Sequence, residues 1–468
     1  MRRVDGAGAG FLFGETPGWH MHVSALMILD PREASHFSFE TVRKGYGRRL
    51  AGAPALKSRL VGAPLGLDRP VLVDDPAFDL DAHFHRAHLP APGNRRQLTE
   101  LAASLVARKL DRSRPLWEAW WIDGLDDGRV ALVVKIHHAL MDGVSGVDLA
   151  GLIMDLEPDP PRDAPAPRPA PGAAPESAPS AVELGLGSLR ALAALPWRSA
   201  RFANQLARQT ATFARHLRSP EPPPRAFAAP RTRFNRSIGI NRSLAVTTIP
   251  MADVLTVKQA FGVTVNDVVL TLCGGALRGY LADQGELPGA SLIAQVPVSV
   301  RTAASRDDVG SQVANMFTTL ATDVADAVER LRVIQSVTAR AKRYQHEIFA
   351  DRSVAIPDVA PPVVIGAAAR LFTGLGLERV IPPVYNLVVS DVRGSPVDLY
   401  VVGARVEAIY PLGPLLMGAA LNVTALSNKD GMDLGFLATP EALPDPWELV
   451  ERTETELATL VGAARAEA

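Results

Sequence analysis

The residue pattern predicts α/β or α+β domains, two in number, and three observations carry that expectation. Short β-branched apolar runs alternate with stretches of helical period along most of the chain. A Pro- and Ala-dominated stretch, residues 158–180, interrupts that alternation and is too poor in large apolar residues to build a core. The 468 residues suffice for two ordinary domains around it. The division read from these features is 1–157, a connecting segment 158–235, and 236–468.

Each element follows from a local signal. Residues 23–29 read as strand. Residues 98–110 read as helix, with Leu98, Leu101 and Leu105 on one face. Residues 130–136 are β-branched and apolar, the mark of a buried strand. Ser145 and Asp148 then have capping-box spacing, and Val147, Leu149, Leu152, Ile153 and Leu156 continue as helix. Segment 184–218 carries Arg190, Arg198, Arg201, Arg208, Arg215 and Arg218 and no acidic residue, with Phe202, Leu206, Phe213 and Leu217 near helical spacing. It reads either as a basic amphipathic helix for an anionic membrane surface or as a helix packed across the two domains with a solvated basic face. Farther on, residues 252–260, 266–281 and 324–342 look helical, and 291–300, 386–389 and 434–438 look like strands.

Composition narrows the function classes. The net charge of −1 leaves no basic excess for nucleic acid. Cys273 is the single cysteine, so no intrachain disulfide can form, and it reads as a small buried hydrophobe. Arg2 and Arg3 are followed by Asp5, Glu15 and glycines rather than an apolar run, so no signal peptide is read. The apolar window 361–369 is broken by Arg370 before it could span a bilayer. The expectation is a cytoplasmic protein whose membrane contact, if any, is peripheral.

The most informative stretch is His137-His138-Ala139-Leu140-Met141-Asp142-Gly143, an H-H-x-x-x-D-G pattern at a strand end. Side chains alternate along a strand, so one histidine faces a given cavity and the other serves structure. His138, nearer the turn, is expected to be the general base of an acyl transfer, taking a proton from an alcohol that attacks a thioester. Gly143 is free to take positive φ. Asp142 is expected to hold the turn by pairing with backbone amides or an arginine, Arg301 being one candidate. Rival readings are weaker. A metal site from His137, His138 and Asp142 wants a further ligand, and His83, His85 and His88 form a second cluster. Ser145 lacks a nucleophile elbow, because Val147 stands where the last glycine belongs. Gly6, Gly8 and Gly10 do not follow a strand and so form no dinucleotide fingerprint.

These residues, taken in order, resemble the bacterial wax ester synthase/acyl-CoA:diacylglycerol acyltransferase family. The likeness includes Glu15-Thr16-Pro17 with Met21-His22-Val23, Pro115-Leu116-Trp117, the His motif, Asn266-Asp267, Pro297-Val298-Ser299-Val300-Arg301, and Gly418 to Val423. It departs at Ser390-Asp391-Val392-Arg393-Gly394-Ser395-Pro396, where the family has an S-N-V-P-G-P-like stretch after a strand. The resemblance implies two chloramphenicol acetyltransferase-like domains, each a mixed sheet with flanking helices, with an active-site channel at their interface. It implies His138 as base and Asn266 as a supporting hydrogen-bond donor, although Asn266-Asp267 also fits a helix N-cap. Trp117, Asp267, Ser390 and Arg301 are the positions it puts on the substrate side, Trp117 fitting a structural role as well. Acyl-CoA would be co-substrate and a fatty alcohol or diacylglycerol the acceptor, with neither cofactor nor metal, at the inner membrane face or lipid droplets. Two rivals remain: a stand-alone condensation domain fed by carrier-protein thioesters, and a non-catalytic lipid-binding scaffold.

Overall fold

The computed structural model describes residues 2–141, 153–158, 179–217, 229–299, 313–348, 361–377 and 380–467. Strands are numbered in chain order. A small antiparallel sheet has the order β1 (Arg2–Arg3), β4 (Val71–Asp74), β3 (Ser58–Val61). A six-stranded sheet has the order β12 (Tyr400–Val401), β13 (Ala404–Leu412), β2 (His22–Asp30), β7 (Val130–His137), β6 (Trp117–Asp123), β5 (Phe84–His88). A second six-stranded sheet has the order β10 (Val313–Thr319), β9 (Ile293–Ser299), β11 (Leu387–Arg393), β14 (Leu421–Ser427), β15 (Gly431–Ala438), β8 (Ser243–Pro250). Both large sheets are mixed: β5–β6 is parallel in the first, and β9–β11–β14 in the second. This is the expected α/β class.

Burial explains why β7 carries no polar alternation over most of its length. Leu132, Val134 and Ile136 face a core that includes Tyr46, Leu56 and Trp117. Ala131 and Val133 face a different core, shared with Leu98 and Val106 and with Leu244 and Val246 of β8. A strand covered on both faces reads as one apolar run. The second core draws on both halves of the chain and joins the two large sheets.

Residues 400–412, placed by sequence in the 236–468 unit, complete the first sheet through antiparallel pairing of β13 with β2. Nothing local in β13 marks it for that sheet, because its partner is nearly four hundred residues away. Two further corrections are local. Asp155 pairs its backbone with Tyr400, so the helix expected to reach Leu156 stops before it. Its start, with Ser145 and Asp148, lies outside the described residues. Residues 390–393 are the end of β11 rather than a loop after it, with Ser390 opposite Thr424 and Arg393 opposite Ser427. A proline at 393 could not donate to such a ladder, whereas arginine can.

The helices begin where their capping chemistry puts them. Asn94 with Gln97 starts Arg95–Ala107 three residues ahead of its apolar stripe. Thr264 with Asp267 starts Val265–Asp283, whose residues Val268 to Leu277 are almost all buried. Cys273 lies there, fully buried as expected, its thiol pushed up to about 12 by desolvation. The basic segment forms two helices, Ala181–Ala193 and Leu195–Leu217, with Pro196 at the start of the second.

One buried carboxylate stitches the halves together. Asp433 on β15 accepts the Ile409 N–H of β13 (2.7 Å), the Thr248 hydroxyl of β8 (2.6 Å) and the Asn428 amide. The Ile409 contact falls beside the β-bulge at Val406/Ala408. Burial raises Asp433 to about 6 against these hydrogen bonds, so the folded protein binds this proton more tightly than the unfolded chain. The group therefore adds stability as pH falls from about 6 toward 3.8, the ordinary value for an aspartate. Asp433→Ala should cost about 1–3 kcal/mol by leaving Ile409 N–H unpaired. Asp433→Asn should flatten the stability profile over that pH window. Chemical denaturation at a series of pH values checks both.

Candidate active site

The site grows from the register of two strands. His22 on β2 lies directly opposite His137 on β7, so both rings point to the same face, with centroids 5.6 Å apart. Glu15 comes in from the end of the glycine-rich helix Gly6–Gly14. Its Oε1 is 3.1 Å from His137 Nε2 and 3.8 Å from His22 Nε2. Its Oε2 accepts from the Arg112 guanidinium (2.6 Å) and lies 3.4 Å from Lys109 Nζ. Burial alone would raise this carboxyl, but the His137 hydrogen bond and the two cations outweigh it and hold it far below the usual range.

His137 has both nitrogens committed. Its Nδ1 accepts the Ala139 N–H (3.0 Å), so the ring proton sits on Nε2 and is donated to Glu15. His137 is thus the N-cap of the short helix His138–Met141, its Nδ1 doing what an asparagine oxygen usually does. Its own N–H donates to Leu116 O (3.0 Å), and the His138 N–H donates to Met21 O (2.8 Å). The Pro115-Leu116-Trp117 and Met21-His22-Val23 elements therefore clamp the two adjacent peptides of the His pair from opposite sides.

His138 is differently placed. Its ring meets Phe11 edge-on at 5.0 Å. Burial lowers its pKa below 6.5, His137 lowers it further, and a hydrogen bond to its own backbone together with Asp5 opposes the shift. Among the described residues no other group hydrogen-bonds its Nε2. The surrounding helix must lie close: a Cβ on Gly8 would come 2.8 Å from Val4 Cγ1 and 3.2 Å from Ala139 Cα. A two-residue strand, β1, does precede these glycines, contrary to expectation, but they serve this close packing. Glu15, His22, Arg112 and Gly8 are the contributors that sequence reading left without a role. Their hint was the E-T-P…M-H-V element, but the register opposing His22 to His137 is a tertiary fact.

The remaining sequence candidates are placed as follows. Trp117 donates its indole N–H to Leu56 O (2.7 Å), stacks on His83 at 4.8 Å, and lines a small apolar cavity with Leu50, Val134 and Ile136. That cavity lies on the sheet face opposite His137. Asp267 accepts from Thr264 on one oxygen and from Thr338 on the other (2.6 Å), so both oxygens are engaged in holding helices. Among the described residues, the buried Nδ2 of Asn266 has no hydrogen-bond partner. Ser390 is half-buried on β11. Asp142, Gly143 and Arg301 lie outside the described residues. His83 and His88 have separate partners, Trp117 O (2.8 Å) and Asp123 (2.5 Å). Glu15, His22 and His137 do bring three ligand atoms within 4.8 Å of one another. Two cations already on Glu15, and the Nε2 proton of His137, fit a hydrogen-bonded network better than a metal ion.

The fold is shared with condensation domains: the first condensation domain of the calcium-dependent antibiotic synthetase matches with a TM-score of 0.53 at 15% identity, covering 99% of this chain and 96% of that one. The wax ester synthase/diacylglycerol acyltransferase of Marinobacter aquaeolei VT8 matches with a TM-score of 0.71 at 28% identity, covering 99% and 100%. Residues 4–269 match the model of the wax ester synthase/diacylglycerol acyltransferase catalytic domain, and residues 309–461 that of the WS/DGAT C-terminal domain. Two Mycobacterium tuberculosis relatives named diacylglycerol O-acyltransferase are 35% and 36% identical, each match covering 96% of this chain and 88% and 97% of the relative. The class is an acyltransferase on a condensation-domain-like fold. Within it, the chain belongs to the wax ester synthase/diacylglycerol acyltransferase family.

His137→Asn keeps an acceptor at the Nδ1 position, whereas His137→Gln reaches toward Nε2 instead. The glutamine variant should lose the cap, about 1 kcal/mol by denaturation, and turn over more slowly than the asparagine variant. Gly8→Val should displace Ala139 and lower kcat by up to about a hundredfold, read as thiol release from acyl-CoA.

Proposed function

We propose that the protein transfers a long-chain acyl group from acyl-CoA to a lipid alcohol, a fatty alcohol or diacylglycerol, with His138 as the general base. The names of the relatives support the substrate classes. The single observation that carries the base assignment is the contrast within the His pair: both nitrogens of His137 are taken, whereas among the described residues no group holds Nε2 of His138. In the step, the alcohol proton passes to His138 as the alcohol oxygen bonds the thioester carbon. The carbon–sulfur bond then breaks, and His138 returns the proton to the departing thiolate. No residue of the chain is acylated, and no cofactor is needed.

Asn266 is assigned a hydrogen bond to the thioester or to the oxyanion that forms from it. A buried amide donor lacking a partner among the described residues supports this, because such a group is costly unless a ligand satisfies it. Trp117 and Asp267 are assigned structural roles, and Ser390 is kept as a contributor to the acceptor side. The reaction is placed at the cytoplasmic face of a membrane or on a lipid droplet, where long-chain substrates reside. Among the described residues no single helix is long and apolar enough to cross a bilayer, which fits peripheral attachment.

His138→Ala should lower alcohol-dependent thiol release from acyl-CoA by about two to four orders of magnitude. Transfer only from carrier-protein thioesters would replace the donor assignment, and no transfer from any thioester would leave a lipid-binding scaffold. Because burial lowers the His138 pKa, the base stays neutral on mild acidification. The acid limb of kcat/KM should therefore fall below 6.5, the ordinary histidine value.

A further inference from the structure

Two helices expose apolar stripes at helical spacing. On Ala181–Ala193, Val182, Leu186, Leu189 and Ala193 are all exposed, Leu189 by 64%. On Pro362–Gly374 and just beyond, Val364, Ala368, Leu371 and Leu375 are likewise exposed, Leu371 by 60%. Positions i, i+4, i+7 and i+11 make one face of a helix, and such a face ordinarily lies against a core. Both helices meet at the turn Pro64–Gly66. There Leu65 takes a positive φ of 54°, rare for leucine, and leaves its side chain 83% exposed. A Cβ on the next residue, Gly66, would lie 3.1 Å from the Phe13 ring and 3.4 Å from Val363 Cβ, so the turn is seated between the glycine-rich helix and Pro362–Gly374. Trp197, 71% exposed, extends the apolar surface onto the next helix.

The charge on and beside these stripes is mostly positive. Arg190, Arg198, Arg201 and Arg208 have no carboxylate partner among the described residues, and Arg370 projects from Pro362–Gly374, which has no acidic residue. Glu183 is engaged by Ser180 at the helix start. Thirteen helical residues cover about 20 Å, too short for a bilayer core of about 30 Å, so such helices can only lie in its surface. Apolar stripes bordered by unpaired arginines match an anionic lipid surface in both respects.

We infer that helices Ala181–Ala193 and Pro362–Gly374, joined by the Leu65 turn, form the face by which the protein docks on anionic lipid. The face abuts the site: Pro362–Gly374 packs on the glycine-rich helix, a Cβ on Gly366 falling 2.5 Å from Phe13 O, and Phe11 of that same helix touches the His138 ring. Docking there would bring a lipid alcohol to the side of the molecule that holds the base. This deepens the acyltransferase reading and rests on it for the nature of the lipid delivered.

The test uses the full chain, its Leu186→Asp/Leu189→Asp and Leu371→Asp/Leu375→Asp variants, and Arg198→Glu/Arg201→Glu. Flotation is measured with phosphatidylcholine vesicles with and without phosphatidylglycerol. Thiol release is measured with a water-soluble short-chain alcohol and with a vesicle-borne one. Docking predicts that wild type floats with anionic vesicles, that each variant loses about tenfold or more of that binding, and that activity on the soluble alcohol is kept. Retained soluble activity also shows that the variants fold. Absence of wild-type flotation, or equal flotation of the variants, overturns the docking face. So does a wild-type dimer, by light scattering, that the leucine substitutions dissociate, since the stripes would then cover a second copy. Flotation that is lost in the variants, in a protein inactive with every thioester, would sustain the docking face and sink the acyltransferase reading.

Discussion

The hydrogen bond from His137 Nε2–H to Glu15 is the constraint on which the rest of the site depends. A carboxylate this deeply buried is tenable only because Arg112 and Lys109 sit on its second oxygen. By holding the ring proton on Nε2, Glu15 leaves Nδ1 of His137 as an acceptor, and that acceptor caps the helix on which His138 stands. A change at Glu15 therefore reaches His138 through a tautomer and a helix start. It need not touch substrate to matter.

The glycine-rich helix Gly6–Gly14 ties this network to its surroundings. It ends in Glu15, admits Ala139 at Gly8, lays Phe11 against His138, and carries Pro362–Gly374 on its outer side. Small residues are what let three neighbours approach one helix so closely. Its apolar composition, without a polar face, agrees with a helix that is covered on several sides.

The two halves are joined too intimately to work as separate bodies. β13 leaves the second half to pair with β2, Asp433 fastens it to β15 and β8, and a shared core fills the space between the sheets. Acyl transfer needs a base and a polarising donor held in fixed relation. The base proposed at His138 on the first half and the donor proposed at Asn266 on the second would call for a rigid joint of this kind.

Much was legible in the chain itself. The run 130–136, the buried Cys273 and the ordered motifs that mark the family are local patterns, and local sterics and hydrogen bonding decide them. The caps at Asn94 and Thr264 are local as well, but the apolar stripe followed by itself starts those helices at 98 and 266, with the N-cap at Asn266-Asp267 instead of Thr264. The division of labour within His137-His138 was half legible, since alternation says that one histidine must serve structure. Which partners commit His137 was not, because Glu15, Arg112 and His22 meet it only through packing and strand register. The exchange of β13 and the exposure of the stripes at Leu186 and Leu371 were equally hidden. A strand's period does not name its sheet, and an apolar stripe looks the same in sequence whether a core covers it or not; only the folded chain settles which surfaces meet.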